Sequence, residues 1–168
     1  MKTVALIIAE KEFRDEEYQI PHDLLHEAGF KVLTVSTTLE QAIGKLGMVV
    51  QPDTLIENLE PKDIDALIFI GGGGSEQYFE DPLSHRLAQE MILQNKVLGA
   101  ICIAPVILAN ALVLKGKKAT VYPDGKDILI ENGANYTASP VEIDGKLITG
   151  NGPEAAEEFG KALIKLLQ

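Results

Sequence analysis

Apolar residues gather in short runs along this chain, and between the runs they recur every three or four positions. Thr3–Ala9 (TVALIIA), Lys31–Ser36 (KVLTVS), Asp65–Ile70 (DALIFI) and Val97–Ile101 (VLGAI) have the length and branched side chains of buried strands. Lys118–Val121 is a shorter fifth candidate. Glu16–Gly29 reads as a helix with Ile20, Leu24, Leu25 and Ala28 on one face and Gly29 as its cap. Pro21 removes the hydrogen bond that the Glu17 carbonyl would accept, so an irregular first turn is expected. Pro82–Gln94 reads as a surface helix carrying Leu83, Leu87 and Ile92. Asp53 is expected to cap a short helix, and Asp124 a helix reaching Asn132 or Gly133. The last helix starts at Pro153, with Glu154, Glu157 and Glu158 early and Lys161 and Lys165 late, as its dipole favours. Gln41–Gln51 alternates weakly around Gly44 and Gly47, the mark of a small antiparallel excursion. Val141–Ile143 and Leu147–Thr149 flank Asp144-Gly145, a hairpin signal.

Strands separated by helix-sized segments predict right-handed βαβ crossovers. The fold class expected is α/β, a flavodoxin-like, doubly wound, mainly parallel sheet with helices on both faces, in one domain over residues 1–168. In that strand order the loop after the first strand, the glycines Gly71–Gly74 and residue 102 meet at one sheet edge.

Residue 102 is the only cysteine. It stands between the apolar run Val97–Ile101 and the longer run Ile103–Leu114, which contains Pro105 where a first helical turn tolerates it. A strand-to-helix junction would offer free N–H groups and a helix dipole, and so a thiolate. Cysteine is also simply a small core residue in many proteins. Gly71–Gly74 reads as a backbone cradle for an oxyanion or as a tight turn that lets a helix pack closely. No Lys-Ser or Lys-Thr follows at a phosphate-loop offset. Glu16 and Glu17 are either solvated acids at a helix start or, for one of them, a buried protonated carboxyl beside the thiol.

The formal net charge of −10 argues against nucleic acid or an anionic membrane as partner. No secretory h-region or membrane-length apolar segment is visible, so the compartment expected is cytoplasmic. His22 and His26 have helical ligand spacing without a second cluster, and no metal is expected. His85 is expected at the surface, and no histidine neighbours Cys102 in sequence. A flavin site has no Ser/Thr phosphate loop and no tryptophan to support it.

The run AIC-x-A-P after a glycine-ended strand, Glu17 four residues before Pro21, and ITGNGP before the final helix resemble the DJ-1/ThiJ/PfpI superfamily along nearly the whole chain. The subgroup it is most similar to is the DJ-1/ThiJ side, in which histidine does not follow the cysteine. The resemblance implies a homodimer and Cys102 as nucleophile in a strained elbow. It implies Glu17 as the protonated carboxyl beside the sulfur and the amides of Gly72 and Ile103 as oxyanion hole. Asp23 matches an acid near the dimer interface and the site. Ile103 stands where PfpI-type proteases carry a histidine, and Tyr122 where DJ-1-type relatives often carry one. Peptide hydrolysis therefore lacks a base. The function expected is that of a cofactor-free, cysteine-dependent glyoxalase or deglycase acting on small α-oxoaldehydes. The alternative is a redox-sensing or chaperone-like stress protein whose Cys102 oxidises to sulfinic acid.

Overall fold

A computed structural model describes all 168 residues. In chain order the strands are β1 (Thr3–Ile7), β2 (Lys11–Phe13), β3 (Lys31–Ser36), β4 (Ala42–Gly44), β5 (Val49–Val50), β6 (Thr54–Leu55), β7 (Ala66–Phe69), β8 (Val97–Ile101), β9 (Lys118–Ala119), β10 (Asn135–Tyr136), β11 (Val141–Asp144) and β12 (Leu147–Gly150). The helices are α1 (Asp15–Glu27), α2 (Pro82–Leu93), α3 (Pro105–Asn110), α4 (Lys126–Glu131) and α5 (Ala156–Leu167).

Seven strands form the central sheet in the order β11-β12-β8-β7-β1-β3-β6. Every neighbouring pair is parallel except the β11–β12 hairpin. β7, β8 and β12 are buried at every position, as strands covered on both faces must be. Helices α1 and α5 pack on each other and on β3, β8 and β12, whereas α2 and α3 pair with each other against β8. One cluster of 44 buried apolar residues reaches both helix layers, so a single core supports the sheet from either side. The doubly wound, mainly parallel α/β architecture expected from the strand–helix alternation is the one observed. No helix is long and apolar enough to cross a membrane.

Several local expectations are corrected. Lys118–Val121 does not supply the fifth strand of the sheet: β9 keeps two residues and pairs with β10 in a separate ribbon. That place belongs to β12, which pairs with β8 while its other edge completes the hairpin. Asp53 caps no helix; its carboxylate accepts from the Thr34 N–H at 2.8 Å, and the chain continues as β6. Asp124 lies inside a 3-10 turn, Pro123–Gly125, and makes no capping bond to α4. The helix after Cys102 has six residues rather than the length of Ile103–Leu114, because the chain turns left-handed at Leu112 (φ 63°). α1 runs unbroken through Pro21. His85 is half-buried and its Nε2 meets the Phe79 carbonyl at 2.7 Å.

The antiparallel excursion is real: β4 pairs with β5, and β4 also pairs in parallel with β2. This small second sheet carries residues 42–50 back to the start of α1, beside the glycine run.

Candidate active site

β8 delivers Cys102 to the carboxyl edge of the sheet, where the backbone turns to φ 64°. That left-handed conformation costs a non-glycine residue about 1–2 kcal/mol and persists only when neighbours enforce it. Two backbone bonds do so here. The Cys102 N–H donates to the Gly150 carbonyl at 2.9 Å, and its own carbonyl accepts from the Tyr122 N–H at 2.7 Å. Neighbouring crossovers thus hold the bend from both sides.

Gly71 lies against this bend. A Cβ there would come within 2.6 Å of Cys102 Cβ, Glu17 Oε1 and the Ile101 carbonyl, so hydrogen at that position lets thiol and carboxyl approach each other. Its carbonyl accepts from the Arg14 N–H at 2.9 Å, which ties the loop to the entry of α1. Gly72 has φ 97°, and a side chain there would strike the Glu12 carbonyl at 2.4 Å. The glycine run is a close-packed turn, and within it the Gly72 amide lies beside the sulfur.

Glu17, in the first turn of α1, has no solvent exposure. Neither oxygen finds a partner of full hydrogen-bond geometry. The Cys102 thiol and the Gly71 N–H still lie close enough to favour its charged form somewhat. Burial outweighs them and raises the carboxyl from 4.5 to about 7. The protonated carboxyl is thus favoured below about pH 7, and near neutrality the two forms coexist.

The standing thiolate is not. Burial first, and then the negative charge and hydrogen bonding of Glu17, push the Cys102 thiol up to about 12, and the Gly72 and Ile103 amides only partly offset them. The helix dipole invoked for the thiolate is small, since α3 is short and begins three residues on. Glu17 and Cys102 share one pocket of low polarity, so one negative charge on the pair is tolerated and two are not. The proton leaves the carboxyl first.

Outside the sulfur lies a cleft of about 340 Å³. Its wall is made by Gly72, Gly73, Cys102 and Ile103, by Arg14 and Lys45 just after β2 and β4, and by Tyr122, Asp124 and Pro153 in the segments after β9 and β12. A second cavity of about 570 Å³ adjoins, sharing Arg14, Tyr122 and Pro153. Tyr122 is 42% exposed and open to a ligand. Arg14 grips Glu16 with two contacts, Nε to Oε2 at 2.8 Å and Nη2 to Oε1 at 3.1 Å. Those bonds raise the guanidinium pKa and lower that of Glu16, so of the two adjacent acids Glu16 is the solvated, charged one.

Cys102, Glu17, Gly72, Ile103 and Tyr122 therefore assemble. Asp23 does not: it is exposed on α1, bonded to Gln19 Nε2 at 2.6 Å and His22 Nδ1 at 3.0 Å, and is no part of the cleft wall. His22 and His26 stack with ring centroids 6.4 Å apart, and no group of three His, Cys, Asp or Glu side chains is arranged to hold a metal ion. Arg14, Lys45, Asp124 and Pro153 are site residues that sequence patterning did not single out. Arg14 lies in the short link between β2 and α1, and Lys45 in a hairpin whose destination has no local signal.

The sequence model described as the DJ-1/PfpI family matches residues 2–166. An uncharacterized protein of Methanocaldococcus jannaschii is 40% identical over 98% of this chain and 82% of its own length. A deglycase of Pyrococcus abyssi is 31% identical over 97% of this chain and 98% of its own. The crystal structure of a ThiJ/PfpI domain protein from Brachyspira murdochii superimposes with a TM-score of 0.96 at 28% identity, covering 98% of this chain and 95% of that one.

Proposed function

The chain belongs to the DJ-1/PfpI family, and from that premise we propose that it is a cofactor-free, cysteine-dependent enzyme of the glyoxalase or deglycase type, acting on small α-oxoaldehydes. The observation that carries this reading is the thiol of Cys102 in a left-handed bend, touching both the glycine loop and a wholly buried carboxyl raised to about 7. The name of the Pyrococcus abyssi relative supports the same chemical class.

Near neutrality part of the Glu17 population is ionised and sits beside a thiol that holds its proton. Glu17 takes that proton as sulfur attacks the aldehyde carbon, and the developing oxyanion meets the Gly72 and Ile103 N–H groups. The hydrogen on that carbon then moves as a proton to the adjacent ketone carbon, through an enediolate. The former aldehyde carbon becomes a thioester and the ketone carbon an alcohol. Water releases the hydroxy acid and returns the thiol. Methylglyoxal plus water gives lactate: one carbon is oxidised, its neighbour reduced, and no external oxidant is required. A standing thiolate is unnecessary, because base and nucleophile form a pair.

Purified protein is expected to convert methylglyoxal to lactate, with Cys102→Ser lowering the rate by at least about a hundredfold. Equal, negligible turnover by both proteins would overturn the reading. The oxidation-sensor alternative has less support, since peroxide attacks the thiolate and burial holds this sulfur as a thiol. Peptide hydrolysis is disfavoured by Ile103 at the position of the protease histidine. We extend the proposal to a homodimer working in the cytoplasm.

A further inference from the structure

Two cations line the cleft, and they differ in kind. Arg14 is neutralised by Glu16 through its two short contacts. Lys45 is in no ion pair. Its side chain is exposed, yet the turn that carries it is fastened at several points. The Lys45 N–H donates to the Phe13 carbonyl at 2.9 Å, and the Gly47 N–H closes the turn on the Gly44 carbonyl at 3.0 Å.

The strongest fastening is Asp15. This carboxylate is only 6% exposed and spends both oxygens on the same turn, Oδ1 on the Leu46 N–H at 3.0 Å and Oδ2 on the Met48 N–H at 2.9 Å. Gly44 presses against it so closely that a Cβ would lie 2.2 Å from Oδ1. Burying an acid is costly unless its bonds are met, and here they fix the segment that brings a free ammonium to the sulfur's cleft. In a chain of net charge −10, an unpaired cation on the wall of the cleft that holds the sulfur gives that wall a local positive charge.

We propose that Lys45, positioned by Asp15, makes the cleft selective for α-oxoaldehydes that carry a carboxylate at the far end, of the 4,5-dioxopentanoate type. This rests on the reading of Cys102 as carbonyl nucleophile. The aldehyde meets the sulfur, while the carboxylate lies toward Lys45 and away from the exposed Asp124, both of which line the cleft. The chemistry balances as before: 4,5-dioxopentanoate plus water gives 2-hydroxypentanedioate.

Two measurements test it, and their failures are distinct. In turnover, kcat/KM for 4,5-dioxopentanoate exceeds that for methylglyoxal, and Lys45→Met cuts the ratio of the two about fivefold, through KM of the anionic substrate, as loss of one exposed charge should. A ratio that Lys45→Met leaves unchanged overturns the proposal. In alkylation, iodoacetate and iodoacetamide compete for the single thiol, read by intact mass. The iodoacetate preference, normalised to a free small-molecule thiol, is expected above one in the wild type, falling in Lys45→Met and in high salt. A normalised preference at or below one, unaltered by the substitution, also overturns it. Should the alkylation preference appear without turnover of either aldehyde, anion selection stands and the enzymatic reading falls.

Discussion

Four residues other than glycine have positive φ, and their places divide evenly: Glu12 and Cys102 flank the glycine loop, Asn95 and Leu112 end helices. Strain at the first pair serves the site, because it brings backbone amides and one sulfur around a space that regular structure would not leave. The deeper cost there is Glu17. Its folded-state pKa of about 7 exceeds the ordinary 4.5, so the folded protein binds that proton more tightly than the unfolded chain does. The resulting stability is fully present below about pH 4.5 and is lost as pH climbs through about 7. It amounts to something on the order of 3 kcal/mol for a group with no solvent exposure. Glu17→Gln keeps the shape without the titration. Its Tm relative to wild type should therefore rise from pH 5 to pH 8 in a calorimetric series, and parallel curves across that range would show that burial of this acid is not what shifts it. The residues alone left Glu16 and Glu17 as alternatives, and the family resemblance carried by Glu17, Pro21 and Cys102 pointed to Glu17, but neither indicated the protonation state of the sulfur. That depends on how completely neighbours exclude water, which a linear pattern does not record.

At the scale of elements, helix ends explain more than helix interiors. After α1 the Gly29 N–H meets the His26 carbonyl and the Phe30 N–H the Leu25 carbonyl, the double closure of a Schellman motif. Gln94-Asn95-Lys96 ends α2 in the same manner, Ala111-Leu112-Val113 ends α3, and Asn132-Gly133-Ala134 ends α4. Glycine, asparagine and glycine suit the left-handed position; Leu112, 68% exposed, does not. Leu112→Gly should relieve strain at little packing cost, a net gain of about 0.5–1 kcal/mol, visible as a Tm higher by a few degrees in thermal melts. An unchanged or lower Tm would mean that the exposed leucine contributes contacts elsewhere. The same element explains one failed expectation: the apolar run through Leu114 resembled one long helix because burial, not periodicity, dictated its composition. Likewise β12 looked like half of a hairpin, since the local turn signal is strong and its pairing with β8, some fifty positions away, leaves no local trace.

For the whole molecule, the sheet order brings the ends of β1, β7 and β8 side by side, as the spacing of four apolar runs foretold. What that spacing could not foretell is the cleft wall built by β2 and β4, whose contact joins residues 11–13 to 42–44 through a small sheet of their own. Light scattering on the purified protein is expected to give twice the 18.2 kDa chain mass, in keeping with the proposed homodimer, and a value equal to one chain would refute it. The crowding around the glycine run has a practical sequel for anyone redesigning this cleft. Positions 71, 72 and 74 already touch main-chain atoms at distances no methyl group could share, so a library randomised there would return mostly unfolded clones. Diversity belongs instead at Lys45, Tyr122 and Asp124, whose side chains end in water and can be exchanged without moving the scaffold beneath them.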